Sequence, residues 1–181
     1  LLTSLDLSAN TALTHLSMDN NQLTSADVSN NTALTNLSYH QNQLTSLDVS
    51  NNTALIFLYC YSNQLTSLNV SSNTALAYLN CFNNQLTYLN LKNGVTDGLT
   101  LDAKVNSLSC IEVLDPDWAT ANWTSADNEI DAGVSFAVCC SSTDVSNWHV
   151  AAHGSDTHGC GYQGSPFATI QAAINAASSG D

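Results

Sequence analysis

The chain opens with one 21-residue unit written four times, as Leu2–Gln22, Leu23–Gln43, Leu44–Gln64 and Leu65–Gln85. A fifth copy begins at Leu86 as LTYLNLKN and then decays through Asn93–Asn106. A fixed period of this length means a solenoid, in which each repeat packs only on its neighbours. The second copy splits into two half-units, LTSADVSNNTA and LTNLSYHQNQ. Each alternates apolar residues over a few positions and closes on Asn, the pattern of a short strand and a turn. The expected fold is mainly β, with two short parallel strands per coil and neighbouring coils about 4.8 Å apart.

The columns of this array show what must be buried. Leu13, Leu34, Leu55 and Leu76 form one apolar column, and Leu16, Leu37, Leu58 and Leu79 another. The opposite side carries Leu5, Ala26, Leu47, Leu68 and Leu89, then Leu7, Val28, Val49, Val70 and Leu91. Ala26 departs from its column and predicts an underfilled core there. Two Asn columns, Asn10/Asn31/Asn52/Asn73 and Asn21/Asn42/Asn63/Asn84, stand where turns must close. A buried amide there can bond the free backbone groups of its own turn and of the next coil.

The stretch Leu13–Leu23, LTHLSMDNNQL, fits L-x-x-L-x-[LMC]-x-x-N-x-L at each defined position. So do Leu34–Leu44, Leu55–Leu65 and Leu76–Leu86, with Tyr39, Cys60 and Cys81 counted as apolar. Residues 1–113 therefore resemble bacterial leucine-rich repeats of the 21-residue, doubly nested kind. That resemblance implies a solenoid but not a ligand, since such arrays serve many partners.

The net charge is −13, with Lys92 and Lys104 the only Lys or Arg residues. Nucleic acid and anionic membranes are poor partners for such a surface. No apolar run reaches membrane-spanning length. The chain begins inside a repeat, which points to a true N-terminus further upstream. Cys60 and Cys81 share one column and read as inward packing residues, since buried thiols behave as small hydrophobes; a disulfide between them is the alternative, though in-register strand geometry rarely suits one. Cys110, Cys139, Cys140 and Cys160 lie outside the array and suggest two disulfides formed in an oxidising compartment. Cys110 would pair with Cys139 or Cys140, closing the solenoid, and Cys160 would take the remaining partner. Zinc is the competing reading of these cysteines, though no CxxC spacing is present.

Beyond a last strand at Leu108–Val113, residues 114–140 break the period and read as a C-terminal cap, because the final apolar face needs cover. C-I-x-V, ATANW, DAG-x-SF and a following Cys resemble the segment that ends such arrays in secreted bacterial surface proteins. Residues 141–147 read as a polar linker. Residues 148–181 predict a short strand, a Gly-rich loop and a helix over about 167–177, N-capped by Ser165 with Pro166 behind it. Gly154-Ser155-Asp156, Pro166-Phe167, Thr169-Ile170-Gln171, Ala173-Ile174 and Gly180-Asp181 resemble the opening of a pectate-lyase-like right-handed parallel β-helix domain. The coils that would carry such a domain's chemistry are not in this sequence.

Alternate strand positions point outward, and they change character along the array. The first two coils present His15, Ser17, Asp19, Asn36, Ser38 and His40; the next two present Phe57, Tyr59, Tyr61, Tyr78, Asn80 and Phe82. His40 and the five aromatic residues form the candidate ligand-binding face, able to stack on sugar rings or anchor a protein. The plainer reading is a cross-strand ladder that stabilises the sheet. On the other side Asp6, Asp27 and Asp48 lead a column continued by Asn69 and Asn90. It reads either as a weak Ca²⁺ site, since oxygen ligands suit that ion, or as a solvated acidic face with raised pKa values. No other cofactor is expected. His149, His153, His158 and Cys160 could hold a transition metal or be ordinary loop residues.

G-x-S-x-G, H-E-x-x-H and P-loop motifs are absent. Asp115 and Asp117 could be picked as a carboxylate pair, but nothing places them across a cleft. The function expected is a non-catalytic, secreted or cell-surface module that binds extracellular protein or glycan, without membrane insertion. The alternatives are an accessory region of a polysaccharide-degrading enzyme with its active site beyond residue 181, and a self-associating subunit of an extracellular filament.

Overall fold

The computed structural model describes residues 1–94, 98–127 and 129–140. Among these described residues, nine strands of three residues and one helix succeed one another. Strands β1 (His15–Ser17), β2 (Asn36–Ser38), β3 (Phe57–Tyr59), β5 (Tyr78–Asn80) and β7 (Thr100–Asp102) form one parallel sheet in that order. Strands β4 (Ser67–Asn69), β6 (Tyr88–Asn90), β8 (Cys110–Glu112) and β9 (Ser135–Ala137) form the second. Registers step by whole repeats, so that Leu16, Leu37, Leu58, Leu79 and Leu101 align along the first sheet. The chain divides into two compact units, Leu1–Ala137 and Val138–Asp181.

The leucine columns form one core. Leu34, Leu37, Leu44, Leu55, Leu58 and Leu65 are wholly buried, while Leu1, Leu2 and Leu5 of the first coil stay exposed. Ala26 is only partly buried against this core, where its column neighbours Leu47 and Leu68 are buried.

Both Asn columns are hydrogen-bonded ladders. Nδ2 of Asn52 donates to the carbonyls of Val28 and Asn31, and Nδ2 of Asn73 to those of Val49 and Asn52. In the other column Asn63 Nδ2 donates to the carbonyls of Tyr39, Cys60 and Tyr61, while its Oδ1 accepts the Leu44 N–H. Asn63 thus bonds backbone groups of two coils, whereas Asn52 and Asn73 each give a second donor to carbonyls of the preceding coil that already accept a backbone N–H. The ladders run beyond the regular repeats. Asn93 donates to the Asn73 carbonyl, and Asn106 repeats the Asn84 pattern on Cys81, Ala103 and Lys104 while accepting from Leu86 N–H.

Three expectations need correction. First, the decay over Asn93–Asn106, which left no strand expected there, conceals a further coil carrying β7 and Asn106. The period there grows by one residue, which hides the match LTLDAKVNSL. Second, a strand on the other side forms only from β4 onward; the first three coils carry none at that position. The onset coincides with the change from Asp6, Asp27 and Asp48 to Asn69 and Asn90. Third, the cap is less irregular than expected. Helix α1 (Pro116–Asn122) starts at the N-cap Asp115, whose side chain accepts the Trp118 N–H, and β9 pairs with β8 in parallel. Asp-Pro followed by acidic Asp117 is the signal for that helix start.

Aromatic contacts and an indole hydrogen bond hold the cap on the core, and a buried ion pair ties the coil beneath it. Trp123 lies edge-on to Trp118 at 5.2 Å and donates from Nε1 to the Leu99 carbonyl. Lys92 Nζ lies 3.1 Å from Glu112 Oε2, a fully buried pair that also accepts the Tyr88 hydroxyl. Cys110, Cys139 and Cys140 are all disulfide-bonded. Cys160, the linker at 141–147 and the β-helix opening expected over 148–181 lie outside the described residues, as do His149, His153 and His158.

Two stability predictions follow from these turns. The residue before each Asn of the second ladder, from Asn21 to Asn106, is left-handed: Asn20, Gln41, Ser62, Asn83 and Val105 have φ between 54° and 57°. Only Val105 is β-branched there, a costly choice; Asp131 holds it by accepting the N–H groups of Val105 and Asn106. Val105→Asn is expected to raise unfolding free energy by about 1 kcal/mol, read as a higher urea midpoint at unchanged slope. Asn52→Ala should lower it by about 1–3 kcal/mol, since the buried carbonyls of Val28 and Asn31 each lose one of two donors, whereas exposed Thr53→Ala should change it by less than about 0.5 kcal/mol.

Candidate functional site: the outward face of the five-stranded sheet

Three outward columns run across β1, β2, β3 and β5, because side chains of a strand alternate between faces. Small residues at Ser17 and Ser38 give way to Tyr59 in one column. In the next, His40 and Tyr61 stand one coil apart. This change in size leaves two adjoining shallow depressions. One, of about 460 Å³, is lined by Ser38, His40, Tyr59, Tyr61, Tyr78 and Asn80. The other, of about 370 Å³, is lined by His15, Leu16, Ser17, Asn36, Leu37, Ser38 and Tyr59. Tyr59 and Ser38 belong to both.

The rings form a connected surface. His40 stacks on Tyr61 with centroids 4.3 Å apart and planes 8° from parallel. Tyr59 meets Tyr78 at 5.0 Å, and Phe57 meets Tyr78 at 6.5 Å. All are half-buried at their bases. Of the six expected face residues, His40, Tyr59, Tyr61 and Tyr78 line the larger depression together. Phe57 joins them through Tyr78. Phe82 is half-buried one coil past Tyr61 and is not part of that lining.

The polar end is organised by Asp19, which the sequence reading placed only as one outward residue among others. Its Oδ1 accepts from Ser38 Oγ at 2.5 Å and from the His40 N–H at 3.2 Å. Its Oδ2 accepts from Ser17 Oγ at 2.6 Å and lies 3.2 Å from His40 Nε2. Both oxygens are therefore fully occupied. The side chains of His40 and Asp19 are 19% and 20% exposed, and His40 Nδ1 is buried without a partner. An Asp, a His and two Ser side by side resemble a hydrolytic triad in composition but not in wiring. Both serine hydroxyls donate to the carboxylate, so neither is set to pass its proton to the imidazole. Tyr61's phenol is raised above its ordinary value, first by burial and then by the charge of Asp19 and by Tyr78.

The acidic column on the opposite side is engaged differently from the expectation. The carboxylates of Asp6, Asp27 and Asp48 each accept the backbone N–H two residues on, from Ser8, Ser29 and Ser50. Asn69 and Asn90 do the same for Ser71 and Lys92. Serine hydroxyl and backbone hydrogen bonds hold the three Asp pKa values below the ordinary 3.8, not above it, with the hydroxyl of Ser8 or Ser29 leading at Asp6 and Asp27 and the Ser50 N–H at Asp48; desolvation, and at Asp27 and Asp48 also a neighbouring carboxylate, opposes the shift. Among the described residues no three His, Cys, Asp or Glu side chains converge to hold a metal. Asp115 caps α1, so its carboxylate is engaged in the helix.

Cys60 and Cys81 are free thiols, wholly buried one coil apart, as their column position implied. Tyr39 and Ala103 flank them in that column, also buried. Burial pushes Cys60 to about 12 and Tyr39 to about 12, and Cys81 well above the ordinary thiol value.

A scan of protein-family models and a search of curated proteins each find no match to this chain. Among solved structures, it is similar to the functional domain of InlJ from Listeria monocytogenes, described as including a cysteine ladder, with 35% identity and a TM-score of 0.57. The match covers 77% of this chain and 32% of that one, so the chain spans about a third of that neighbour's length. Fold class is thereby fixed as a mainly β, leucine-rich-repeat-like parallel solenoid. No helix among the described residues is long and apolar enough to cross a membrane.

The acidic column generates a pH prediction. A carboxylate with a depressed native pKa stabilises the fold above 3.8, and that contribution disappears as pH falls through the native value. Replacing Asp6, Asp27 and Asp48 together by Asn keeps a carbonyl for each serine N–H, as Asn69 shows. The triple variant should therefore lose less stability than the parent between pH 4 and pH 2, followed by thermal melts across that range.

Proposed function

We propose that this chain is a non-catalytic interaction module of a secreted or cell-surface protein, and that it binds its partner through the outward face of the five-stranded sheet. The observation that carries this reading is the pair of adjoining depressions divided by Tyr59, in which half-buried rings stand beside a pre-ordered polar network. Half-exposed aromatic anchors supply contact area at low entropic cost and dominate binding energies where they occur. Rigid strands hold them, so little ordering is needed on association. Likeness to a domain called functional in its own protein supports a role for the solenoid itself. The wiring of Asp19, His40 and the two serines supports recognition over hydrolysis.

The test is direct binding of wild type and a Tyr59→Ala/Tyr61→Ala variant to arrays of extracellular proteins and glycans. Wild type is expected to retain specific partners that the double variant loses by at least about tenfold, as expected for two anchor rings, while both melt at similar temperatures. Identical binding profiles would remove the face from consideration.

A further inference from the structure

We infer that the partner presented to this face is a basic protein segment, with a lysine or arginine head group seated against Tyr59 and Tyr78 beside the Asp19 network. This deepens the binding role proposed above and rests on it. Three independent features of the face select a cation.

The first is hydrogen-bond polarity. Asp19 takes the protons of Ser17 and Ser38, which leaves each serine oxygen only lone pairs to offer. Serine oxygens committed as acceptors call for a donor, and Lys and Arg are donors only. The second is the ring surface. Tyr59 and Tyr78 meet at 5.0 Å with planes 35° apart, and the electron-rich faces of such rings attract cations. The third is charge. No outward position on β1, β2, β3 or β5 holds Lys or Arg, while the chain carries −13. Lys92 is buried against Glu112, and Lys104 lies past β7. Asp19 brings negative charge to the neighbouring Tyr61, where, after burial, it helps raise the phenol. A neutral sugar could use the rings but would gain nothing from that charge.

The experiment uses the full chain and fluorescence anisotropy of a labelled Gly-Arg-Gly-Arg-Gly peptide at low salt. Its twin carries citrulline, which has the shape of arginine without the charge. Maltoheptaose serves as a neutral glycan competitor. The arginine peptide should bind, weaken with added salt, and lose about tenfold in affinity with Tyr59→Leu, the scale of one partly desolvated cation–π contact. Tyr59→Phe and the remote Asp48→Asn should stay within about twofold. Circular dichroism and melting establish that each variant is folded. Equal loss with Asp48→Asn, or none with Tyr59→Leu, would mean diffuse charge attraction and overturn the inference. Tyr59-dependent binding of the citrulline twin or of maltoheptaose would overturn the cationic partner but leave the face as a binding surface. If no probe binds, or no binding responds to Tyr59→Leu, while the array partners also ignore Tyr59→Ala/Tyr61→Ala, both readings fall together.

Discussion

The buried asparagine amide is the interaction on which this fold depends. Coils of 21 residues bring backbone groups inside at every turn, where water cannot reach them, and such groups cannot remain unpaired. In one ladder each Asn side chain spends its donors and its acceptor on two successive coils, and in the other its donors alone reach the preceding coil. Leucine columns supply the driving force for burial. The ladders make that burial compatible with a folded chain, and they fix the register at which leucines meet. Register in turn fixes which side chains look outward, so the candidate site is a consequence of the ladders.

Much of this was legible in the sequence because it repeats. Leu34, Leu55 and Leu76 share a column with a single physical explanation, and so do Asn31, Asn52 and Asn73. Cys60 and Cys81 could be placed as buried thiols from their column alone. What escaped the reading lies where the repetition breaks. One inserted residue between Asn84 and Asn106 concealed a further coil. The Lys92–Glu112 pair joins residues with no counterpart in earlier copies, so no column announces it. Helix α1 had a local signal in Asp115-Pro116, overshadowed by the turn-rich composition around it.

The site shows the same division. Outward columns identified His40, Tyr59, Tyr61 and Tyr78 as neighbours. Periodicity could not reveal that Asp19 gathers Ser17, Ser38 and the His40 imidazole around one carboxylate, because that convergence depends on rotamers in two coils. Similarly, the Asp6, Asp27 and Asp48 column suggested mutual repulsion, and the turn hydrogen bonds that outweigh it are local backbone features. Sequence fixes which residues share a face; side-chain geometry decides what each has left to offer a partner.

The second sheet begins only at β4, and this has a mechanical consequence. Coils before Ser67 are joined by one strand ladder and the asparagine bonds, while later coils are joined by two sheets and closed by the cap. In a one-dimensional array, each coil's persistence depends on its neighbours. The aromatic face straddles the boundary: β1 and β2 belong to the singly laddered region, and Tyr78 to the doubly laddered one. A partner bridging Ser38 and Tyr78 would therefore splint the less constrained coils to the more constrained ones. Occupancy of the face would be felt as resistance to unwinding from the first coil onward, so recognition and the cohesion of the array are thermodynamically linked.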